Sequence, residues 1–551
     1  AERTEVLVWY APDALHVGIR AYDSQPSTVR ATLADRDNIG QEDRVTLYLD
    51  TFDDRRRAFI FAVNPLGVQQ DGVRAEGSGG AGRTFGGSTD LSPDYQWESA
   101  GRRTEWGWQA ELRIPFKSLR YAGGDEQRWG IQVTRHVQRT GREDTWTDAR
   151  RGAASFLAQS GAMTGIRDIR RGIVLEAQPF VTASSRAGRE SPAAPLRRDD
   201  LVTSTGVNAR LGFASAALDL TVNPDFSQVE SDAGLVTANE RFSLFVAERR
   251  PFFLEGIELF ASPNQLVYTR RVADPIAGAK LTGKLGPWGY AYLSALDETP
   301  GAGGDDALFN VLRVRRDAGR NSLVGLTLTD RREGGLANTV AAADARIVFG
   351  KYFVEAQAGG SRSDLAPQPG VPVSDPDLGD PPAGDRTANG GFWSAEFDRT
   401  GRTWGFNYSL ESFERDFRTD AGFIPRTGIV SGRAFNRLTW FGRPGAALET
   451  VRASFGPNYI WRAGAIGDGP LEGNEEVSVT TRFRGGWEVE ASVERGFADF
   501  LPADYEGYTV GGAAPGAFVP AAGVRGLITS DVQVTTPVFR LVAILMKAAP
   551  I

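Results

Sequence analysis

EEVSVTTRFRGGWEVEASVERGFA, residues 475–498, reads as two strands around a Gly485-Gly486 turn. Val477, Val479, Thr481 and Phe483 alternate with Ser478, Thr480, Arg482 and Arg484. Trp487, Val489, Ala491 and Val493 alternate with Glu488, Glu490, Ser492 and Glu494. Successive side chains of a strand point to opposite faces, so each strand has one apolar and one charged face. The pattern returns at Trp404, Phe406, Tyr408 and Leu410, set against Thr403, Gly405, Asn407, Ser409 and Glu411. A charged face repeated over strand after strand needs water on that side. A barrel lumen supplies it, while the apolar face meets lipid.

Working outward, the spacing predicts sixteen strands from Gly172 onward, near 172–185, 201–213, 216–222, 276–284, 288–296, 307–316, 321–330 and 336–349. The rest fall near 351–363, 388–399, 402–414, 427–441, 446–461, 475–485, 487–498 and 526–540. Even-numbered connections are short, around Ala214, Gly286, Asp317 to Arg320, Gly350, Gly401, Gly442 to Ala446 and Gly485-Gly486. The odd ones are mostly long and include 186–200, 223–275, 364–387 and 499–525. Outer-membrane barrels have this asymmetry, with the short turns periplasmic. A propeller would repeat every 40–50 residues or so, and no such repeat is found.

Residues 1–150 carry shorter alternating runs. Val45, Leu47 and Leu49 are set against Thr46, Tyr48 and Asp50; Ala110, Leu112 and Ile114 against Gln109, Glu111 and Arg113. One buried and one wet face is the pattern of a sandwich sheet. The stretch 151–171, rich in Gly, Ala and Arg, reads as a linker. The expected fold is therefore all-β: an N-terminal β-sandwich, then an antiparallel transmembrane β-barrel of about 16 strands over 172–551. Parity of the connections puts the sandwich on the periplasmic side of a bacterial outer membrane.

Composition removes several function classes. The 551 residues contain no Cys, which excludes disulfides, thiolate metal sites and cysteine nucleophiles. His16 and His136 are the only histidines, so histidine-based zinc sites and Ser-His-Asp machinery have little to work with. A net charge of −7 without a basic stripe excludes nucleic acid as a partner. No apolar run reaches the roughly 18 residues of a membrane-spanning helix.

Val222 to Phe260, VNPDFSQVESDAGLVTANERFSLFVAERRPFFLEGIELF, closely resembles the signature of a large group of bacterial outer-membrane proteins of unknown function. Tyr48 to Gly72, Trp97 to Tyr121, Asp274 to Lys284 and Asp416 to Arg426 agree with it as well. The resemblance implies an N-terminal domain like the family 9 carbohydrate-binding modules, followed by a C-terminal barrel. It also implies an earlier sandwich strand with a tryptophan before Ala1, and a terminal aromatic beyond LVAILMKAAPI (541–551); the expectation is a chain shortened at both ends.

Candidate sites follow from side-chain chemistry. Tryptophans gather at Trp97, Trp106, Trp108, Trp129 and Trp146, and flat rings stack on sugars. Trp97 and Trp108 sit in alternating strands, where core filling is the competing reading; Trp106 and Trp146 lie beside turn or charged residues. Glycan binding is what the resemblance implies for them. Asp35, Asp37 and Asp43 lead an acidic cluster with oxygen ligands for calcium, but the interleaved Arg36, Arg44 and Arg55 to Arg57 compete for the same carboxylates.

The 223–275 connection is too apolar for water, from Phe242 to Val246 and again at Phe252 and Phe253. It is expected to fold inward as a plug or constriction, with Arg249, Arg250, Arg270, Arg271 and Glu255 at the pore. The competing reading is an extracellular flap whose arginines pair with Glu240, Glu248 and Glu255.

Three functions stay open. The first is a barrel that binds, and passes, carbohydrate or another small polar solute. The second is a non-catalytic assembly protein, in which the sandwich docks a periplasmic or surface partner and the barrel anchors it in the lipid bilayer. The third is a glycoside hydrolase with a binding module, although no motif singles out a catalytic carboxylate pair.

Overall fold

A computed structural model describes residues 2–76, 88–224, 245–298, 305–365, 386–500 and 523–536, apart from scattered positions between 151 and 199 and at 320 and 444. Short pieces between 509 and 519 and at 545–548 are described as well. No described helix is long and apolar enough to cross a membrane.

The N-terminal part is two antiparallel sheets packed on one core. One sheet runs Thr4–Tyr10, Ala14–Tyr22, Gly107–Pro115, Glu98–Thr104 in spatial order. The other runs Arg142–Thr145, Glu126–Val137, Arg44–Asp50, Arg57–Val63, Gln69–Ala75, Ser88–Asp90. Alternation places Val17, Ile19 and Leu112 of the first against Leu47, Phe61 and Trp129 of the second. The expected linker is only partly a linker. Gly161–Arg167 pairs with Glu126–Val137 and sends Ile166 into the sandwich core. A bulge between Met163 and Ile166 breaks the period-two pattern that would have marked it as a strand.

All sixteen expected barrel strands are present, from Val174–Ser184 to Gly523–Thr535, each antiparallel to its neighbour in chain order. A seventeenth, Leu545–Ala548, pairs with the last of them. The burial pattern is inverted relative to a soluble sheet. Along Ser322–Glu333, Leu326 and Leu328 are 62% and 43% exposed, while Thr327 and Thr329 are 3% and 0%. Lys280, Arg313, Gln357 and Asp398 are likewise buried, and Leu281, Leu312, Val354 and Phe397 exposed. Polar residues inside and apolar residues outside make sense where lipid is the outer solvent. Trp288, Trp404, Trp440, Trp487 and Phe349 all point outward where strands meet the short turns, forming an aromatic girdle at that rim.

The sandwich is seated on the same rim. Tyr121 N donates to Ala214 O in the first short turn at 2.8 Å. Lys284, just before the next turn, pairs with Asp54 of the sandwich and, at 2.7 Å, with Asp317 at the end of the strand Ala307–Ala318. Arg56 pairs with Asp317 and donates to Ser322 O. Arg142 reaches Glu449 at 3.8 Å.

Candidate functional site

The connection after Ala216–Val222 is described from Phe245 on, and its run to Asp274 lies against the inner face of the wall. Residues 225–244, including Glu240 and the start of the Phe242 to Val246 run, lie outside the described residues. Pro251–Leu254 forms one helical turn, started by the proline. Gly256 then takes φ +72°, and a Cβ there would press on Thr282 of the wall at 3.1 Å. Phe252, Phe253, Leu259, Phe260 and Val272 bury themselves against Ala291, Leu293, Ala295, Ala307, Phe309 and Val311. These inward wall positions are apolar where their neighbours carry polar groups, so wall and segment match in chemistry.

Farther along, Asn264 donates to Gln357 Oε1 and to Ser394 Oγ, at 3.0 and 2.8 Å. Leu266 packs with Val340, Phe392 and Phe413. A second inward piece, Glu414 to Gly428, meets it there. Phe417 joins the Leu266 cluster, Tyr268 N donates to Ala421 O, and Phe423 N donates to Gln265 O. Asp297 closes the run by accepting from Ala273 N and Asp274 N. These contacts cover inner-face positions on several strands between Pro275 and Phe413.

The tip of the segment, residues 250–260, reaches the short-turn rim and meets the sandwich. Glu255 is gripped from two sides. Arg210 of the wall presents both terminal nitrogens to its two oxygens, and Arg120 of the sandwich donates to Oε1 at 2.9 Å. Arg120 also donates to Thr282 Oγ1 at 2.9 Å. Arg57 pairs with Glu258 at 2.9 Å. Such partly buried pairs repay their desolvation only when geometry is good, and breaking one leaves a charge without its partner. A cavity of about 440 Å³ opens beside this junction, bounded by sandwich, wall and segment.

On the other side of the lumen the wall keeps a polar surface. A second cavity, about 380 Å³, is lined by Ser409, Glu411, Ser431, Arg433, Asn458, Asn474 and Glu476 among others, all of them wall residues. Glu476 sits directly across from Glu494 on the next strand, and Asn474 Nδ2 donates to Glu494 Oε1 at 2.9 Å. Facing like charges oppose sheet stability; the Asn474 amide on Glu494 and Arg433 in the same lining offset part of that charge.

The structure separates the candidate residues. Trp97 and Trp129 are 7% and 0% exposed inside the sandwich core, where neither ring reaches a ligand. Trp106 is half-buried and packs on Tyr22 at 4.8 Å between ring centres. Trp146 is 62% exposed and lies over Gly161. An exposed ring outside the expected set, Trp9, stacks on His16 at 5.3 Å.

Arg250 does not present charge to a pore. It is 1% exposed, pairs with Glu248, and donates to the carbonyls of Val272 and Thr269. Arg270 and Arg271 donate to Ala247 O and Gly422 O, so they brace the inward pieces. Arg249 is exposed and lines the junction cavity.

Asp35, Asp37 and Asp43 do not converge. Asp43 instead accepts from Arg30 N and Gln138 N. Asp37 groups with Asp71 and Asp94. There the guanidinium of Arg36 donates to Asp71 at 2.8 Å and lies 3.3 Å from Asp94, supplying the counter-charge a calcium ion would bring.

Arg120, Arg210 and Glu258 were not among the expected site residues. Arg210 lies on the polar face of its strand, which marks it as luminal. Its meeting with Arg120 joins positions 90 residues apart and has no local signal.

Comparison with known proteins adds little beyond the family model. Residues 174–283, spanning the first wall strands and the luminal segment, match a domain of unknown function, DUF5916. No curated protein matches the chain. Solved structures with some likeness include OccAB1 of Acinetobacter baumannii, at 8% identity over 84% of this chain and 92% of that one, TM-score 0.30. OccK5 (OpdH) of Pseudomonas aeruginosa follows at 9% over 82% and 91%, TM-score 0.28. OccK9 (OpdG) of the same organism shares 12% over 82% and 94%, TM-score 0.29. At such scores these likenesses carry no argument about function.

Proposed function

We propose that the chain is a bacterial outer-membrane protein that admits a small polar solute along the open side of its lumen, the sandwich lying on the periplasmic side. The observation that carries this reading is the polar cavity that the inward segment leaves open on the wall strands around Ser409 to Ser478. A lumen built only to anchor would gain by packing there, yet the wall keeps serine, asparagine and carboxylate groups on a wet face. Hydroxyl and amide groups both donate and accept, which suits a neutral, hydroxyl-rich solute such as a sugar. The segment at 245–274 then acts as a constriction, with Trp146 and Trp9 as the accessible aromatic platforms on the sandwich.

An assembly role has one observation in its favour: the sandwich is pinned to the rim by ion pairs, as a cap would be. Single-channel recording of the purified full-length protein in a planar bilayer, with a panel of oligosaccharides, separates the two. Passage predicts open channels that flicker or block with one class of sugar. A protein that inserts and stays silent would favour the assembly role.

A further inference from the structure

Glu255 belongs to neither of the bodies that hold it. Arg210 is a wall residue and Arg120 a sandwich residue, while Glu255 rides on the segment between them. Arg210 grips both carboxylate oxygens in the fork geometry that guanidinium groups use for carboxylates, and Arg120 adds a third donor. Take Glu255 away, and two guanidinium groups from different domains face one vacated position. That position borders the junction cavity of about 440 Å³.

The cavity has the character of a ligand site for an anion. Five cationic side chains line it, Lys117 and Arg249 joining Arg57, Arg120 and Arg210, against three carboxylates, Asp94, Glu176 and Glu255. Phe59, Tyr95, Phe116 and Tyr121 border it and give it an apolar side. A few charged groups beside aromatic walls, in a volume of this size, is the usual composition of a small-molecule pocket.

We infer that Arg120 and Arg210 form a binding site for a small organic carboxylate with a flat apolar body, and that Glu255 is the tethered occupant of that site. The ligand carboxylate takes the place of the Glu255 carboxylate, and its apolar part enters the aromatic flank. No covalent step is involved. Because Glu255 is carried by the luminal segment, ligand binding removes its tip's ion-pair anchor to Arg210 and Arg120, while the Arg57–Glu258 pair and the burial of Phe252 and Phe253 remain. That consequence rests on the reading of 245–274 as a constriction; the binding site itself does not.

The test is calorimetric titration of the full-length protein in detergent with benzoate, and with benzyl alcohol as the uncharged match. A tethered competitor lowers apparent affinity by the fraction of time it occupies the site. Glu255→Ala is therefore expected to bind benzoate at least about tenfold more tightly than the unaltered protein, and Glu255→Gln to shift the same way. Benzyl alcohol should bind neither. Adding Arg120→Gln and Arg210→Gln to Glu255→Ala should abolish the gain, with the barrel still showing the gel shift of a folded β-barrel.

Benzoate affinity unchanged in Glu255→Ala and Glu255→Gln, or retained without both arginines, overturns the site. Binding in a protein that never conducts sinks the passage reading and leaves this site standing. Conduction without benzoate binding does the reverse.

Discussion

Asp50 is a carboxyl group almost wholly inside the sandwich, held by backbone N–H groups of Phe52, Asp54 and Arg55. Burial, and then the negative charge of Asp54, push its pKa up to about 7. In the unfolded chain the same group titrates near 3.9 or so. The folded state thus holds the proton more tightly. The stability this contributes is complete below about pH 4 and is lost as pH rises through about 7. Burial raises Asp43, Asp71 and Glu76 in the same direction, so their contributions add.

Denaturant unfolding followed by sandwich tryptophan fluorescence should give a higher midpoint at pH 5 than at pH 8. Asp50→Asn should flatten that difference. A midpoint that climbs with pH over this interval would show that Asp50 is charged in the fold. The tryptophans themselves show how far a single position can be read. Trp129 and Trp146 are one residue type in one domain, yet the first is sealed in the core and the second stands on its surface. Alternation within a strand says which face a ring takes, but not whether a second sheet covers that face.

Strands were the most legible elements, and the reason is the solvent. Lipid outside and water inside force period-two alternation along each wall strand, so Ser322–Glu333 shows its fold in its own residues. Gly161–Arg167 has no such pressure over its whole length, and its bulge hid it. The segment at 245–274 was legible only in part. Its apolar content announces that it must be covered, whereas its cover, the Ala291 to Val311 patch, lies on two strands beyond it.

The inverted wall makes a prediction of its own. Leu328 sits near the middle of its strand and faces outward. On a soluble protein an exposed Leu→Arg change shifts stability by no more than about 0.5 kcal/mol. At a bilayer midplane the same change costs about 2–4 kcal/mol. Leu328→Arg, unfolded by denaturant from lipid vesicles, should show the larger loss. A loss indistinguishable from zero would mean that this face does not meet lipid.

The sandwich is joined to the wall and to the segment's tip by ion pairs and hydrogen bonds at one rim, and that decides how the molecule can open. Lys284 stands between Asp54 of the sandwich and Asp317 at the end of a wall strand, and Arg56 reaches the same Asp317 from the other body. Two cations and two carboxylates alternate across the seam, with Lys284 and Asp317 each holding two partners. Apolar burial between the bodies would hold them together regardless of a single charge; an alternating chain does not. Reversing one member leaves the others facing a like charge.

Asp317→Arg should therefore lift the sandwich from the rim without unfolding either body, because Asp317 lies at the end of the strand Ala307–Ala318 and outside both cores. Limited proteolysis is expected to cut faster in 151–160, between the last strands of the sandwich sheet, while the barrel keeps its folded gel mobility. In a planar bilayer the same variant should conduct more than the unaltered protein, if the seated sandwich narrows the mouth. The compensating change Arg56→Asp, made in the Asp317→Arg background, should restore part of the protection, because it faces the new arginine from the sandwich side of the seam. Protection and conductance that stay unchanged in Asp317→Arg would mean that the seam is held by something other than its charges, and that the sandwich does not control the mouth.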